Sequence, residues 1–459
     1  MSFSSITFLS VFLPAVLAVY YLAASHKNAV LLTASVLFYA WAEPRFLALL
    51  PAMVLITYFG GRALEKYSCR RIIATATICL QLSFLICFKY ADFFIANVNT
   101  LIDGDTELLN LALPLGISFY TFRAVSYIID VCRRDVKAQN DIYQLALYII
   151  VFTQITSGPI VKYHEMVNQL DQRSHTFDNT LNGVRRFIIG LSKKLLIADI
   201  LGASADKIFQ LPVAEFDTFT AWTGSVFYTL QLYYDFAGYS DMAIGLSLIF
   251  GFKVPENFNY PYISKSITEF WRRWHISLST WFKEYLYIPL GGNRVSKKRH
   301  IFNLLVVFFA TGLWHGASWN FIVWGMVHGF FIIFEKLTGF YKETPSKALK
   351  TLQHIYTLAV VNAAWVLFRA PDLQYGFDFI KRMAGLGGKA DIYAAYSWYV
   401  DRLETAVFAI AVIFAMPIAE NMLKTKRQNL LNVWLIILFV LCLTQIASNT
   451  YTPFIYFKF

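Results

Sequence analysis

Apolar runs long enough to cross a bilayer constrain this chain more than any other feature of its sequence. A helix needs about 17 to 25 largely apolar residues to span the hydrocarbon core. Residues 5–24, 45–63, 72–88, 142–156, 218–234, 301–314, 355–368, 406–423 and 430–447 come close to or meet that requirement. Shorter or interrupted runs lie at 29–42, 108–131, 242–252 and 321–334. Composition agrees: 57% of the side chains are hydrophobic and only 15% are charged, whereas a soluble domain carries about a quarter charged residues on its surface. This excludes a soluble enzyme, a disordered chain and a disulfide-stapled secreted domain. The expectation is an all-α polytopic membrane protein with roughly 10 to 13 spans, forming one membrane domain over residues 1–459.

Gly or Pro interrupts several runs, at Pro114–Gly116, Gly158–Pro159 and Gly238. Backbone left unpaired at membrane depth must face protein or a water-filled cavity, so the fold is expected to enclose something. His26 and Lys27 follow the first span and no Lys or Arg precedes it. That asymmetry reads as a retained span with the N-terminus outside, the basic stretch 62–71 in the cytoplasm and the acidic stretch 103–107 outside. The net charge of +11 then belongs to cytoplasmic loops and lipid headgroups, not to nucleic acid. Cys69, Cys79, Cys87, Cys132 and Cys442 form no CxxC pair. They read as small buried residues, with neither a disulfide frame nor a metal site.

The chemistry-bearing residues concentrate in 264–329. Between Ser264 and Arg294, a helical period puts Trp271, Trp274, Leu278, Trp281, Phe282 and Tyr285 in one sector, with Arg272, Arg273, Lys283 and Glu284 opposite. This predicts a helix lying in the membrane interface. His275 falls at the edge of the aromatic sector, where a packed histidine with one hydrogen bond is an equally open reading. Arg294, Lys297, Lys298, Arg299 and His300 follow; they suit phospholipid headgroups, the phosphates of a nucleotide-bearing donor, or simply a positive-inside loop.

Next, ATGLWHGASWNFIVWGMVHGFF carries His315 and His328 in apolar surroundings, and an ionisable group at membrane depth marks function by default. Burial keeps an imidazole neutral, which suits a general base; a core histidine bonded to a carbonyl is the alternative for each. Gly312 and Gly316 would let a substrate approach His315 closely. Thirteen residues separate the two histidines, so they share no face of an unbroken helix unless a glycine bends it. Asp235 and Asp241 sit in a third apolar segment, where either can orient a histidine or face a cavity. GxSxG and HExxH are absent, which argues against common serine hydrolases and zincins.

These segments resemble the membrane-bound O-acyltransferase family. The likeness runs through YYDFAGYSDMAIGL from Tyr233, ENFNYPYISKSITEFWRRWHISLSTWFKEYLYIPLGGNR from Glu256 and GLWHG from Gly312. It extends back through LPLGISFYTFRAVSYIIDV, SGPIVKYHE and the opening FSSITFLSVFLPAVLAVYYL, and so covers essentially the whole chain. The resemblance implies a ring of helices around a funnel that thins the membrane. It assigns catalysis to His315, as base or transient acyl carrier, with His275 positioning the donor or stabilising an oxyanion. It also implies transfer of acetyl from cytoplasmic acetyl-CoA, across a bacterial inner membrane, to an extracytoplasmic polysaccharide such as alginate, cellulose or peptidoglycan. A periplasmic acetyltransferase of the SGNH type would be the partner. Apart from the resemblance, charge alone suggests that the basic cluster from Arg294 would hold the donor's diphosphate, and no permanently bound cofactor or metal is expected. Two readings from other classes stay open: a transporter of an acyl or lipid-linked substrate, which Asp235 and Asp241 would suit, and a scaffold that only docks the periplasmic enzyme.

Overall fold

The computed structural model describes residues 2–23, 25–386, 400–418 and 428–448, and every regular element among them is helical. In chain order the α-helices are α1 (Leu13–Leu22), α2 (Lys27–Ala42), α3 (Leu49–Lys66), α4 (Arg70–Ile102), α5 (Ile117–Arg133), α6 (Ile142–Ile150) and α7 (Tyr163–Asp171). Then come α8 (Phe177–Ser192), α9 (Asp199–Phe209), α10 (Thr218–Ile249), α11 (Ile267–Arg273), α12 (Ile276–Phe282) and α13 (Lys297–His315). The last are α14 (Trp319–Thr338), α15 (Lys347–Arg369), α16 (Leu373–Met383), α17 (Arg402–Phe414) and α18 (Gln428–Ser448).

Five helices among the described residues are long and apolar enough to cross a membrane: Pro44–Lys66, Arg70–Ile102, Trp319–Thr338, Lys347–Arg369 and Leu430–Ser448. The chain is therefore the expected all-α, multi-pass membrane protein. Other apolar runs make shorter helices, such as α1 and α6. The expected run at 406–423 becomes α17, and its last residues, 419–423, lie outside the described residues.

The chain divides into two compact units, Met1–Phe187 with Tyr239–Pro255, and Ile188–Gly238 with Glu256–Phe459. In the first, α3, α4 and α5 pack on one another and α2 packs on α6. Helix α4 contains neither Gly nor Pro, so nothing interrupts its 33 residues, about 50 Å at 1.5 Å per residue. Little of its apolar surface is covered by protein. That corrects the reading of the cysteines: Cys69, Cys79 and Cys87 are exposed, Cys132 is half-buried, and Cys442 alone of the five is buried. In a membrane chain an apolar run is set by lipid as much as by core, so its small residues need not point inward.

Two of the three expected breaks occur. Helix α5 starts only after Gly116, whose φ of +71° puts it in the left-handed region; a Cβ there would sit 2.1 Å from the Ile155 carbonyl oxygen. Residues 151–162 leave the helix around Gly158–Pro159. Protein groups meet several polar atoms of this buried irregular stretch. The Phe152 amide donates to Ser35 Oγ at 2.9 Å, Ser247 Oγ donates to Thr153 Oγ1 at 3.2 Å, and Thr156 Oγ1 bonds the Tyr239 hydroxyl.

The third expected break is absent: α10 runs unbroken through Gly238. A Cβ at Gly238 would lie 2.7 Å from the Gly190 carbonyl oxygen and 3.1 Å from the Lys194 amide. The glycine is there to let two backbones touch, a use that leaves the helix intact.

Candidate active site

The second unit brings His275, His315 and His328 into one aromatic cluster. Helices α13 and α14 form a hairpin, and α15 packs on α14. Gly312 and Gly325 decide how close the hairpin arms come. A Cβ on Gly312 would lie 2.4 Å from the Phe321 carbonyl oxygen, and one on Gly325 would lie 2.4 Å from that of Phe308. Gly316 faces the Phe321 ring in the same way, at 2.2 Å. The expectation that Gly312 and Gly316 open a path for substrate is therefore corrected: both are filled by α14.

His315 is the last residue of α13 and is 3% exposed. Three rings meet its imidazole nearly edge to face, with centroids at 4.9 Å (Trp314), 4.8 Å (Trp324) and 5.3 Å (Phe368). The Asn320 amide nitrogen donates to the Ala370 carbonyl at 2.7 Å, tying the start of α14 to the end of α15. Because the chain reverses after Gly316, the thirteen-residue spacing does not separate the histidines. His328 packs on the same Trp324 indole at 5.1 Å. It is fully buried, with Trp271 at 5.2 Å and Phe270 stacked at 6.3 Å. Neither ring nitrogen of His328 has a hydrogen-bond partner among the described residues, so the carbonyl bond expected of a core histidine is not made.

The predicted interfacial helix is two short helices, α11 and α12, hinged at His275. His275 adopts φ 43° and ψ 55°, the left-handed region, an uncommon and strained conformation for a non-glycine residue. The hinge is held by Asn257, fully buried in the preceding loop. Its carbonyl accepts the Ile276 amide at 2.9 Å, and its side-chain Oδ1 accepts the Ser277 amide at 3.2 Å and Ser277 Oγ at 2.9 Å. The same Oδ1 lies 3.1 Å from His275 Nδ1.

An oxygen that accepts from a backbone N–H cannot donate, so Nδ1 carries the proton and Nε2 the lone pair. Burial pushes the His275 pKa down to about 3, so the ring is neutral. Its Nε2 has no hydrogen-bond partner among the described residues. The Trp314 ring lies between the two site histidines, 5.8 Å from His275 and 4.9 Å from His315.

The aromatic sector keeps its inward side despite the hinge: Trp271, Trp274, Leu278, Trp281, Phe282 and Tyr285 are all buried, while Arg272 and Lys283 are exposed. Glu335, buried on α14, accepts from the Ile267 and Thr268 amides at 2.5 and 2.9 Å and from Thr268 Oγ1 at 2.7 Å. A carboxylate placed on a helix N-terminus in this way anchors α11 against α14. Arg294, Lys297, Lys298 and Arg299 are exposed at the start of α13, about 27 Å along the helix axis from His315.

The carboxylates are otherwise engaged. Asp235 lies 2.8 Å from Lys194 Nζ, which also holds Asp199 at 2.6 Å. In the first unit, Asp241 pairs with Arg186 at 2.7 Å. Each of the two carboxylates that the sequence singled out thus meets a cation. Asn257, Trp324 and Glu335 were not singled out by sequence reasoning; a buried acid near the end of an apolar run was the one signal available, for Glu335.

Comparison with known proteins places the chain in a family. The sequence matches the MBOAT, membrane-bound O-acyltransferase, family over residues 133–377. It is 36% identical to a protein of Azotobacter vinelandii named "Probable alginate O-acetylase AlgI", with 100% of both chains covered. It is 34% identical to the peptidoglycan O-acetyltransferase of Helicobacter pylori over 90% of this chain and 86% of that one. A teichoic acid D-alanyltransferase of Bacillus subtilis is 34% identical over 53% of this chain and 65% of its own. The chain therefore belongs to the membrane-bound O-acyltransferase family and is a multi-pass membrane enzyme of the O-acetyltransferase type.

Proposed function

We propose that this enzyme takes an acetyl group from cytoplasmic acetyl-CoA and delivers it across a bacterial inner membrane for O-acetylation of an extracytoplasmic polysaccharide. The relatives' names support the acceptor class, since they specify alginate, peptidoglycan and teichoic acid. A periplasmic acetyltransferase of the SGNH type completes the reading as the partner that presents the polymer. The observation that carries the site assignment is the pair of buried histidines flanking Trp314.

A thioester is already activated, so the protein must mainly align donor and acceptor and remove one proton. His315 is the base. It takes the hydroxyl proton as the acceptor oxygen bonds to the acetyl carbon, the C–S bond breaks, and the proton leaves on the released thiol. His275, in the tautomer that Asn257 selects, presents a lone pair on Nε2. An oxyanion needs a donor, so of the two roles expected for this residue, positioning fits: Nε2 accepts a hydrogen bond from an O–H or N–H of a reactant. The exposed bases Arg294, Lys297, Lys298 and Arg299 receive the diphosphate end of the donor by charge attraction.

The test is His315→Ala in membrane vesicles supplied with labelled acetyl-CoA. CoA release and polymer acetylation are expected to fall by at least about a hundredfold, with the protein inserted at normal levels. Unchanged transfer in that variant overturns the assignment. Label retained by the parent protein and absent from His315→Ala would make His315 the acyl carrier in place of the base.

A further inference from the structure

We infer that the first unit holds a binding site for the headgroup of a zwitterionic, primary-amine phospholipid of the phosphatidylethanolamine type. The site is a cavity of about 610 Å³ where the entry to α2 meets the start of α6 and the end of α7. Its polar lining divides into two walls. One is cationic and gathers on Tyr20: the Lys27 ammonium lies 5.4 Å from the Tyr20 ring centroid, Arg173 donates to the Tyr20 hydroxyl at 3.2 Å, and His175 Nε2 lies 3.3 Å from it. The other is anionic and gathers on Gln144, whose amide side chain donates to Asp171 at 2.8 Å and whose backbone N–H donates to Asp141 at 3.4 Å.

These opposite charges line one cavity, yet among the described residues neither Lys27 nor Arg173 makes an ion pair with Asp141 or Asp171. Tyr20 and Gln144 hold the two walls in place. A ligand with a phosphate at one end and an ammonium at the other matches the lining, with the phosphate on Lys27 and Arg173 and the ammonium on the carboxylates. The surroundings select a lipid as the source of that chemistry. The adjoining end of α1 exposes Leu22 and Tyr21, and Tyr143 on the rim is 72% exposed. Exposed tyrosines beside an apolar helix end mark headgroup depth. The cavity wall continues into Ala29 and Leu32, which suit the first carbons of an acyl chain.

The experiment uses the full chain, purified in detergent and given equal amounts of phosphatidylethanolamine, phosphatidylcholine and phosphatidylglycerol, with retained lipid read by native mass spectrometry. One phosphatidylethanolamine per chain is expected, held about tenfold over the other two, the factor a charge-assisted hydrogen bond supplies. Asp171→Asn should erase the preference for the primary amine over choline while lipid is still held. Arg173→Gln should lose the lipid altogether, and both variants should keep CoA release at the parental rate, which shows them folded. Equal or better retention of phosphatidylglycerol overturns the proposal, because the cavity would then be only a basic patch. Displacement of the lipid by free phosphoethanolamine at equal concentration overturns it too, by making a soluble metabolite the occupant.

Discussion

Two buried polar systems in the second unit are built on opposite plans. Around Lys194 every charge is answered: the ammonium lies 2.6 Å from Asp199 and 2.8 Å from Asp235, and all three side chains are largely covered. Around His315 the neighbours are rings, Trp314, Trp324 and Phe368, meeting the imidazole edge to face. The first arrangement fixes protonation states, because moving a proton there would strand a charge in a poorly solvated place. The second sets three rings around an imidazole. One plan answers charge with charge, and the other surrounds the proposed base with aromatic rings. Asp235, which would suit a transporter, belongs to the first arrangement.

Lys194→Met gives the largest effect expected from this contrast. Removing the cation takes away the ammonium that Asp199 and Asp235 share, at a cost of about 3 to 5 kcal/mol. Thermal unfolding in detergent should show the loss, and adding Asp199→Asn with Asp235→Asn should restore most of it. A Lys194→Met protein that keeps its stability but cannot transfer acetyl would break the comparison, since the carboxylates would then serve the reaction.

Asn257→Ala sharpens the other side. It removes the acceptor that sets the His275 tautomer and two of the bonds that hold the hinge, each worth about 1 to 3 kcal/mol when its partner is left buried. Turnover should drop about tenfold to a hundredfold with the KM for acetyl-CoA changed less. Asn257→Asp keeps the acceptor and should recover part of the rate. Equal loss of rate in both variants would mean that the accepting oxygen is not what Asn257 supplies to the reaction.

The sequence shows much of this site and hides the rest for identifiable reasons. GLWHG and WHISLS mark His315 and His275, and the helical period correctly predicts which aromatic side chains turn inward. It does not show the hinge at His275, because α11 and α12 keep the aromatic face on one side through the break. Asn257 lies eighteen residues before the ring it orients, a distance no local pattern spans. The meeting of His315 and His328 on Trp324 depends on the chain reversing between Gly316 and Ser318, whereas spacing arithmetic assumes one helix. Glycines mislead in a consistent way. Gly238, Gly312 and Gly316 read as breaks or openings, yet each lies where another segment comes too close for a Cβ. Composition records that a side chain is missing, not what fills its place.

Gly312→Ala tests whether that close packing matters to the histidines. Its Cβ would push on the Phe321 carbonyl from 2.4 Å, forcing α13 and α14 apart at about 1 to 3 kcal/mol. Separation there shifts Trp324 relative to His315, so turnover should fall together with stability. The same substitution at Gly292, where the nearest atom is 3.5 Å away, meets no such wall. Its φ of +57° confines the penalty to backbone strain, and turnover should be unaffected. Equal turnover in the two variants would separate hairpin packing from catalysis.

The smallest effect is a difference in pH response. Burial holds His275 well below its ordinary 6.5, at about 3, so below pH 6.5 the unfolded chain binds a proton that the folded one refuses. Stability must then fall as pH drops from 6.5 toward 3, and this histidine's share, at most about 1.4 kcal/mol per pH unit, is absent from a His275→Gln protein. Unfolding temperatures measured from pH 8 to pH 5 should therefore decline less steeply in the variant, with the two curves parallel above pH 7. Parallel curves throughout would place the His275 ring in contact with water, and the contrast between a charge-compensated region and an uncharged aromatic one would then lose the member on which the tautomer argument rests.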